Sequence, residues 1–205
     1  MFGVRGLGGA VGVVVNPCPV SAKTCHPTSN PSRTIDGGLT HQIPSQHADC
    51  CVSLSVPLIS AIRELIPCLP CTTLSIGSGS GLLESLILQD HGDLGLFGVE
   101  ISTRVNRYLP RDRLHVVKGT WDLDPAACSA EGWLFVYPRE PHLLHKYLEG
   151  YGRGSVRKVI WLGPRADLEE YARILEKHQS DWKKKEVEDC GLVLYEQLIV
   201  WSKLN

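Results

Sequence analysis

Short apolar runs of strand length recur along this chain, and the segments between them predict how the strands pair. Seven runs are rich in apolar or β-branched residues, at 72–76, 94–99, 113–118, 133–136, 156–162, 182–187 and 191–201. Helical or loop crossovers separate the first five runs, which predicts parallel strands with helices on both faces of one sheet. The last two runs follow each other without a helix, so we expect a hairpin whose final strand is antiparallel. The predicted fold is therefore α/β, a three-layer αβα sandwich around a mostly parallel sheet.

Apolar residues at helical spacing mark the crossovers, and prolines end several of them. These segments are 54–66, 82–87, 103–109, 142–148 and 166–178. The first stops near Pro67 and the third stops at Pro110, because proline cannot donate the backbone hydrogen bond that would continue a helix.

The first strand of the sheet ends in glycines and re-enters as a helix. Gly77, Gly79 and Gly81 are each separated by one serine, and the helical pattern begins directly after them. Such a turn presents bare backbone N–H groups and a positive helix end to a ligand. The next apolar run ends on Glu100, where a carboxylate is placed to bind both hydroxyls of a ribose. We interpret the pair as a nucleoside site, and the alternative is a glycine turn that only packs a helix on a strand.

The spacing of the glycines distinguishes between families of nucleotide-binding proteins. A dinucleotide fingerprint would place its third glycine at position 82, which is Leu82, and no G-x-x-x-x-G-K-[ST] segment is present. The two stretches SIGSGSG and FGVEI instead resemble motifs I and II of the class I methyltransferases that use S-adenosylmethionine. The resemblance covers roughly residues 50–205 and implies the same sheet order, with S-adenosylmethionine as the cofactor.

The resemblance also implies which residues bind that cofactor. The glycine segment would lie against the methionine and ribose parts, Glu100 would hold the ribose, and the loop at Trp121 and Asp122 would border the adenine. An ordinary turn and helix start is the alternative for that loop. The complete predicted cofactor site is Ser75, Gly77, Ser78, Gly79, Gly81, Glu100, Trp121, Asp122 and Tyr137.

One position departs from the family pattern. The family commonly has an acid two residues before the first glycine, and this chain has Ser75. A hydroxyl holds the methionine ammonium less firmly than a carboxylate does. Glu84 in the next helix is a candidate replacement, or it simply complements the positive end of that helix.

The residues after the fourth strand lie at the edge of the sheet where a substrate is expected. Amine-directed family members have Asn or Asp, two prolines and an aromatic residue there, whereas this chain has Val136, Tyr137, Pro138 and Arg139. This difference favours an oxygen acceptor over an amine. No catalytic residue is assigned. The candidates are Tyr137 and His142, since an imidazole can accept a proton near neutral pH, although a helical histidine is often only a surface residue.

Composition and charge exclude several function classes. The hydrophobic fraction of 43% suffices for an ordinary core, and the net charge of −1 offers no attraction for nucleic acid or a membrane surface. No apolar run approaches the roughly 20 residues of a membrane span. The eight cysteines lack the paired spacing of a zinc site, so we expect no metal, mostly reduced thiols and a cytoplasmic protein.

Residues 1–48 read as a flexible lead-in to a methyltransferase-like domain at 49–205. Glycines and then prolines interrupt this segment, and few charges occur in it. Its end, with His41, Gln42 and His47, is a candidate lid, or these are exposed loop side chains. Because the domain has no large insertion, either this segment or the partner in a homodimer must wall the substrate pocket.

Two function classes follow from these observations. The first is methyl transfer from S-adenosylmethionine to a small molecule. The second is a methyltransferase-like protein that binds a nucleoside without transferring the methyl group, as a scaffold partner or a cyclase-type biosynthetic protein. A hydride-transfer enzyme comes third, because the glycine spacing disfavours it.

Overall fold

A computed structural model describes residues 41–178 and 182–204 of the chain. The strands are β1 (Ser45–His47), β2 (Cys50–Leu54), β3 (Thr73–Ile76), β4 (Leu96–Glu100), β5 (Leu114–Val116), β6 (Gly132–Val136), β7 (Lys158–Pro164), β8 (Trp182–Glu186) and β9 (Glu196–Lys203). The α-helices are α1 (Val56–Leu65), α2 (Leu82–Leu88), α3 (Pro141–Tyr151) and α4 (Leu168–His178). None of these helices is long and apolar enough to cross a membrane.

The central sheet has seven strands in the order β5-β4-β3-β6-β7-β9-β8. Strands β3 to β7 run parallel to one another, and β9 runs antiparallel between β7 and β8. The predicted α/β fold with an antiparallel final strand is therefore confirmed. Chain order runs outward from β3 in both directions, and in such sheets ligands bind beyond the carboxyl ends of the strands at this switch point.

Two apolar cores lie on opposite faces of the sheet. Along β6, Trp133 and Phe135 belong to the core under α3 and α4, whereas Leu134 belongs to the core under α1 and α2. All three side chains are fully buried. Burial on both faces explains why the strands read as continuous apolar runs rather than as alternating ones.

A small hairpin of β1 and β2 precedes the domain and was not predicted. The strands pair antiparallel, with Ser45 opposite Leu54, and β1 is exposed along its length. Strand β1 falls in the last residues of the segment that we expected to be a flexible lead-in, whereas β2 falls in the predicted domain. Residues 1–40 of that segment lie outside the described residues, so the predicted division at position 48 stays a prediction.

The segment 103–109 forms turns instead of the predicted short helix. The Asn106 amide side chain bonds both the N–H and the carbonyl of Leu109, which offers the backbone an alternative to helical hydrogen bonds. In addition, the N–H groups of Arg107 and Tyr108 both donate to the carbonyl of Ser80. These bonds hold the segment against the glycine loop, and the helix prediction is wrong here.

The cysteines are in two states. Free thiols are present at Cys50, Cys51, Cys128 and Cys190, whereas Cys68 and Cys71 are disulfide-bonded. Four of the six cysteines in the described ranges are therefore free thiols, as expected for most of them, and Cys68 and Cys71 are the exceptions.

Gly81 begins α2 with a left-handed backbone, at φ 76°. An added Cβ would lie 2.5 Å from Asn106 Oδ1 and 2.7 Å from Leu109 Cβ. We therefore expect Gly81→Ala to lower the free energy of unfolding by roughly 2–5 kcal/mol, from backbone strain and crowding together.

Urea denaturation measures this loss, with Gly92→Ala as the matched control. Gly92 is exposed, and a Cβ there would have no atom within 4 Å. Its replacement should change the free energy of unfolding by less than about 1 kcal/mol. Equal stabilities of the two variants would contradict the steric role of Gly81.

Candidate functional site

A cavity of about 470 Å³ opens at the carboxyl ends of β3 and β6. This is the edge of the sheet that the sequence predicted, and the volume lies in the usual range for small-ligand sites. Its walls are the glycine loop, the first turn of α2, the tip of the β1–β2 hairpin and the loop after β4. The lining residues are Ala48, Asp49, Cys50, Cys51, Gly77, Ser78, Gly79, Ser80, Leu82, Leu83, Glu84, Arg104, Val105, Arg107 and Val136.

The glycine loop has the conformation that its sequence predicted, but its N–H groups are not bare. Gly77 and Gly79 have φ of 76° and 57°, a backbone region that residues with a side chain rarely adopt. The N–H groups of Gly77 and Ser78 donate to the carbonyl of Val99 at 2.9 and 3.1 Å. That of Gly81 donates to Ser78. The loop is therefore fastened to β4, and the expectation of free donors is wrong for these residues.

Glu100 faces the glycine loop directly. Its Oε2 accepts the N–H of Gly79 at 2.9 Å, and its Oε1 accepts the N–H of Ile101 at 2.7 Å. The structure thus brings the loop and the acid together, in contact rather than across an open gap. Because a carboxylate oxygen has two lone pairs, each oxygen can also accept a hydroxyl without losing its present partner.

Glu84 is buried at the cavity wall and contacts Ser75. The Ser75 hydroxyl donates to Glu84 Oε1 at 2.5 Å, and both side chains are almost fully buried. Glu84 Oε2 is buried with no hydrogen-bond partner among the described residues. Burial raises the pKa of Glu84 to about 7, with a smaller contribution from the charge of Glu100, while the Ser75 hydrogen bond opposes the shift.

The hairpin tip is joined to two other walls of the cavity through Asp49. The Asp49 carboxylate accepts Arg107 Nη1 at 2.7 Å and the Tyr108 hydroxyl at 2.8 Å. Its backbone carbonyl accepts the Ser80 hydroxyl at 2.6 Å. The next residue, Cys50, carries a thiol whose pKa burial raises to about 12, so it is neutral and unreactive there. No sequence signal indicated Asp49, because the hairpin itself was not predicted.

No protein-family model and no curated protein matches the sequence, whereas solved structures match the fold. The methyltransferase domain of the bacterial protein CtHen1-C is 14% identical at a TM-score of 0.52, over 72% of this chain and 95% of that one. A precorrin-6y C5,15-methyltransferase from Geobacter metallireducens is 10% identical at 0.54, over 78% and 94%. An S-adenosylmethionine-dependent methyltransferase from Aquifex aeolicus is 15% identical at 0.53, over 73% and 90%. This chain has the fold of a Rossmann-like methyltransferase.

Tyr137 directly follows β6 in this methyltransferase fold, and its hydroxyl is bound to another side chain of the protein. Tyr137 has φ of 46°, and its hydroxyl donates to Glu196 Oε1 at 2.5 Å. The N–H of Ser53 also donates to that oxygen, at 3.1 Å. Burial and the Glu196 hydrogen bond raise the pKa of the phenol above its ordinary value. Tyr137 therefore connects β6 to β9 next to the cavity and is a poor proton acceptor in this arrangement.

Of the predicted site residues, only Gly77, Ser78 and Gly79 line the cavity. The residues that do not line it are Ser75, Gly81, Glu100, Trp121, Asp122, Tyr137 and His142. The ring of Trp121 packs edge-on against His142, with centroids 5.7 Å apart, and its carbonyl accepts Lys146 Nζ. His142 in turn stacks on His145, which contacts His178. This cluster joins the Trp121 loop to α3 and α4. Within 41–178 and 182–204, no group of three His, Cys, Asp or Glu side chains is arranged to hold a metal ion.

The buried acid of this methyltransferase fold predicts a pH-dependent stability. Because the pKa of Glu84 is raised from its ordinary 4.5 to about 7, the folded protein binds more protons than the unfolded chain between these values. The free energy of unfolding therefore falls as pH rises through this window and is constant above it. We expect this single group to contribute a loss of about 3 kcal/mol.

Chemical denaturation of wild type and Glu84→Gln at a series of pH values measures this contribution. The amide does not titrate, so the stability of Glu84→Gln relative to wild type should increase by about 3 kcal/mol as pH rises across the window. Titration of all other groups cancels in the difference. A difference that stays constant with pH would contradict the raised pKa.

Proposed function

We propose that this protein binds S-adenosylmethionine in the cavity and transfers its methyl group to a small molecule. The observation that carries the proposal is the hydrogen bond between the Glu100 carboxylate and the backbone of Gly79, a residue that lines the cavity. That contact places an acid that can bind hydroxyls next to a glycine backbone that a ligand can approach closely. A ribose needs this arrangement.

The polar groups of the cavity fit the charges of this cofactor. S-adenosylmethionine carries a ribose diol, a sulfonium, an ammonium and a carboxylate. Glu100 has free lone pairs for the diol, and Glu84 has a carboxyl oxygen without a partner. Arg104 lines the cavity and its guanidinium is in no ion pair of the described residues, so it is the candidate for the cofactor carboxylate.

The chain's own work in this reaction is alignment and exclusion of water. When bound, S-adenosylmethionine supplies an activated methyl group on a cationic sulfur. The walls of the cavity hold the acceptor in line with that methyl group, which converts a bimolecular encounter into an oriented reaction. The hairpin tip at Ala48–Cys51 covers one side of the cavity and thus provides part of the missing substrate wall. The absence of an amine-directed motif after β6 supports an oxygen acceptor.

A binding or scaffold role is the second candidate, and two observations favour it. Ser75 occupies the position where the family commonly has an acid, and the carboxylate of Glu100 already accepts two backbone N–H groups without a ligand. A glycine loop and acid whose hydrogen bonds are formed without a ligand can persist after methyl transfer is lost, because a fold does not determine an activity.

Isothermal titration with S-adenosylmethionine and S-adenosylhomocysteine tests the cofactor. We expect both to bind with dissociation constants on the order of micromolar. Gly79→Arg should abolish binding, because it fills the cavity beside the loop, and Glu100→Gln should weaken it about tenfold through the lost charge-assisted hydrogen bonds.

Gly92→Arg is the matched control, since it adds the same side chain to an exposed loop outside the cavity. It should bind like wild type. If wild type shows neither binding heat nor a thermal shift at millimolar cofactor, the proposal is overturned and the scaffold role is favoured.

Untargeted mass spectrometry of cells with and without the protein tests methyl transfer and identifies the acceptor class. We expect one family of small molecules to gain the mass of one methylene when the wild-type protein is present. Cells with Gly79→Arg should lack that product, whereas cells with Gly92→Arg should retain it. Cofactor binding without any such product would favour the scaffold or cyclase-type role.

A further inference from the structure

One buried acceptor in the cavity wall has no donor within the described part of the chain. Glu84 Oε2 is inaccessible to solvent and unpartnered, while Oε1 is occupied by the Ser75 hydroxyl. Nine buried side-chain atoms of the described residues have no hydrogen-bond partner, and Glu84 and Ser78 are the two of these residues that line the cavity. Because buried polar atoms are usually hydrogen-bonded, an unpartnered oxygen beside a cavity is a candidate ligand contact. Ser78 Oγ, in the same cavity wall, is likewise buried without a partner.

The position of Glu84 indicates which part of a bound cofactor approaches it. Glu100 contacts the loop at Gly79, whereas Ser75 on β3 and Glu84 on α2 flank the loop in sequence and contact each other. A nucleoside whose ribose binds at Glu100 can extend its amino-acid end into the cavity, whose lining includes Glu84. A sulfonium has no hydrogen to donate, whereas an ammonium donates up to three hydrogen bonds.

We propose that Glu84, acting as a carboxylate, accepts a hydrogen bond from the α-ammonium group of the methionine part of S-adenosylmethionine. This inference rests on the proposed function and assigns the binding role of the acid absent at position 75 to a residue of α2. Ser75 then has a positioning role, because its hydroxyl fixes the carboxyl group from the strand side. The other carboxyl oxygen has no partner among the described residues, and it becomes available to the ligand when the carboxyl group is exposed to the cavity on binding.

Binding in this way releases a proton at acidic pH. With a pKa of about 7 in the free protein, Glu84 is largely protonated below that pH. The cofactor ammonium favours the carboxylate, so the proton leaves to solvent as the ion pair forms, and affinity falls up to about tenfold for each pH unit below 7. The ligand ammonium itself stays charged below pH of about 8.

Other ionisable groups surround this position, and each needs to be distinguished from Glu84. They are Cys50 and Cys51 on β2, Asp49 and Arg107 as an ion pair, Arg104 after β4, Glu100 on β4, Glu196 on β9 and Arg63 on α1. The raised pKa of the Cys50 thiol keeps it neutral throughout this range. His47 on β1 accepts the N–H of Asp49 and is the histidine to control for.

Isothermal titration of Glu84→Gln against three ligands tests the assignment. S-adenosylmethionine has both cations, S-adenosylhomocysteine has only the ammonium, and 5′-methylthioadenosine lacks the amino-acid end altogether. We expect Glu84→Gln to weaken the first two ligands equally, by about 10–100-fold at pH 7.5, and to leave the third unchanged. Wild type should also release close to one proton per cofactor well below pH 7, detected as a buffer-dependent enthalpy, whereas Glu84→Gln should release none.

Two matched variants control for loss of a buried carboxylate and for histidine titration. Glu196→Gln removes an equally buried acid that does not line the cavity, and His47→Gln removes the nearby imidazole. Both should retain the proton release and the preference for ligands with an ammonium.

The possible failures are distinguishable. Wild type that binds none of the three ligands would overturn the proposed function. Wild type that binds them while Glu84→Gln is unaffected, or loses all three equally, would overturn the role of Glu84 alone. Weakening of S-adenosylmethionine without weakening of S-adenosylhomocysteine would assign Glu84 to the sulfonium instead.

Discussion

The site depends on the hydrogen bonds that fasten the glycine loop to β4. Gly77 and Ser78 donate to the carbonyl of Val99, and Gly79 donates to the next side chain, Glu100. These bonds join the ends of two neighbouring parallel strands at the switch point of the sheet. They use the backbone N–H groups that a phosphate site would leave free. The loop is therefore better suited to a hydroxyl-bearing or cationic ligand than to an anion.

A second set of contacts joins the walls of the cavity to one another. Asp49 connects the hairpin tip to the loop after β4 through its carboxylate and to the glycine loop through its carbonyl. The segment 103–109 contributes from the other side, since its backbone donates to Ser80. Three stretches that are distant in sequence therefore surround one volume. Such a cavity restricts the motion of a bound ligand and of the acceptor beside it.

Two buried acids near this volume each have one carboxyl oxygen without a partner among the described residues, but their other contacts differ. Glu196 accepts hydrogen bonds from Ser53 and Tyr137 and holds β9 to its neighbours. Glu84 has a single side-chain donor and lies at the cavity wall, and its burial lowers the stability of the folded protein at neutral pH. A protein tolerates such a cost chiefly at functional sites, where perturbed ionisable groups concentrate. The fold alone does not establish a functional role for Glu84, because the structures with the same fold are only 14% and 10% identical to this chain.

The sheet and its antiparallel last strand were predictable from the amino-acid sequence, and so were a glycine turn after β3 and an acid at the end of β4. These features depend on apolar periodicity and on glycine's access to positive φ, which are properties of local sequence. The hairpin of β1 and β2 was decided by tertiary structure, because its exposed polar strand is held through distant partners of Asp49. Tertiary packing likewise decided that 103–109 is not helical and that Trp121, Asp122 and His142 lie outside the cavity lining. The tertiary structure also sets the pKa of Glu84, since the pKa of a carboxyl group depends on what buries it rather than on its neighbours in the chain.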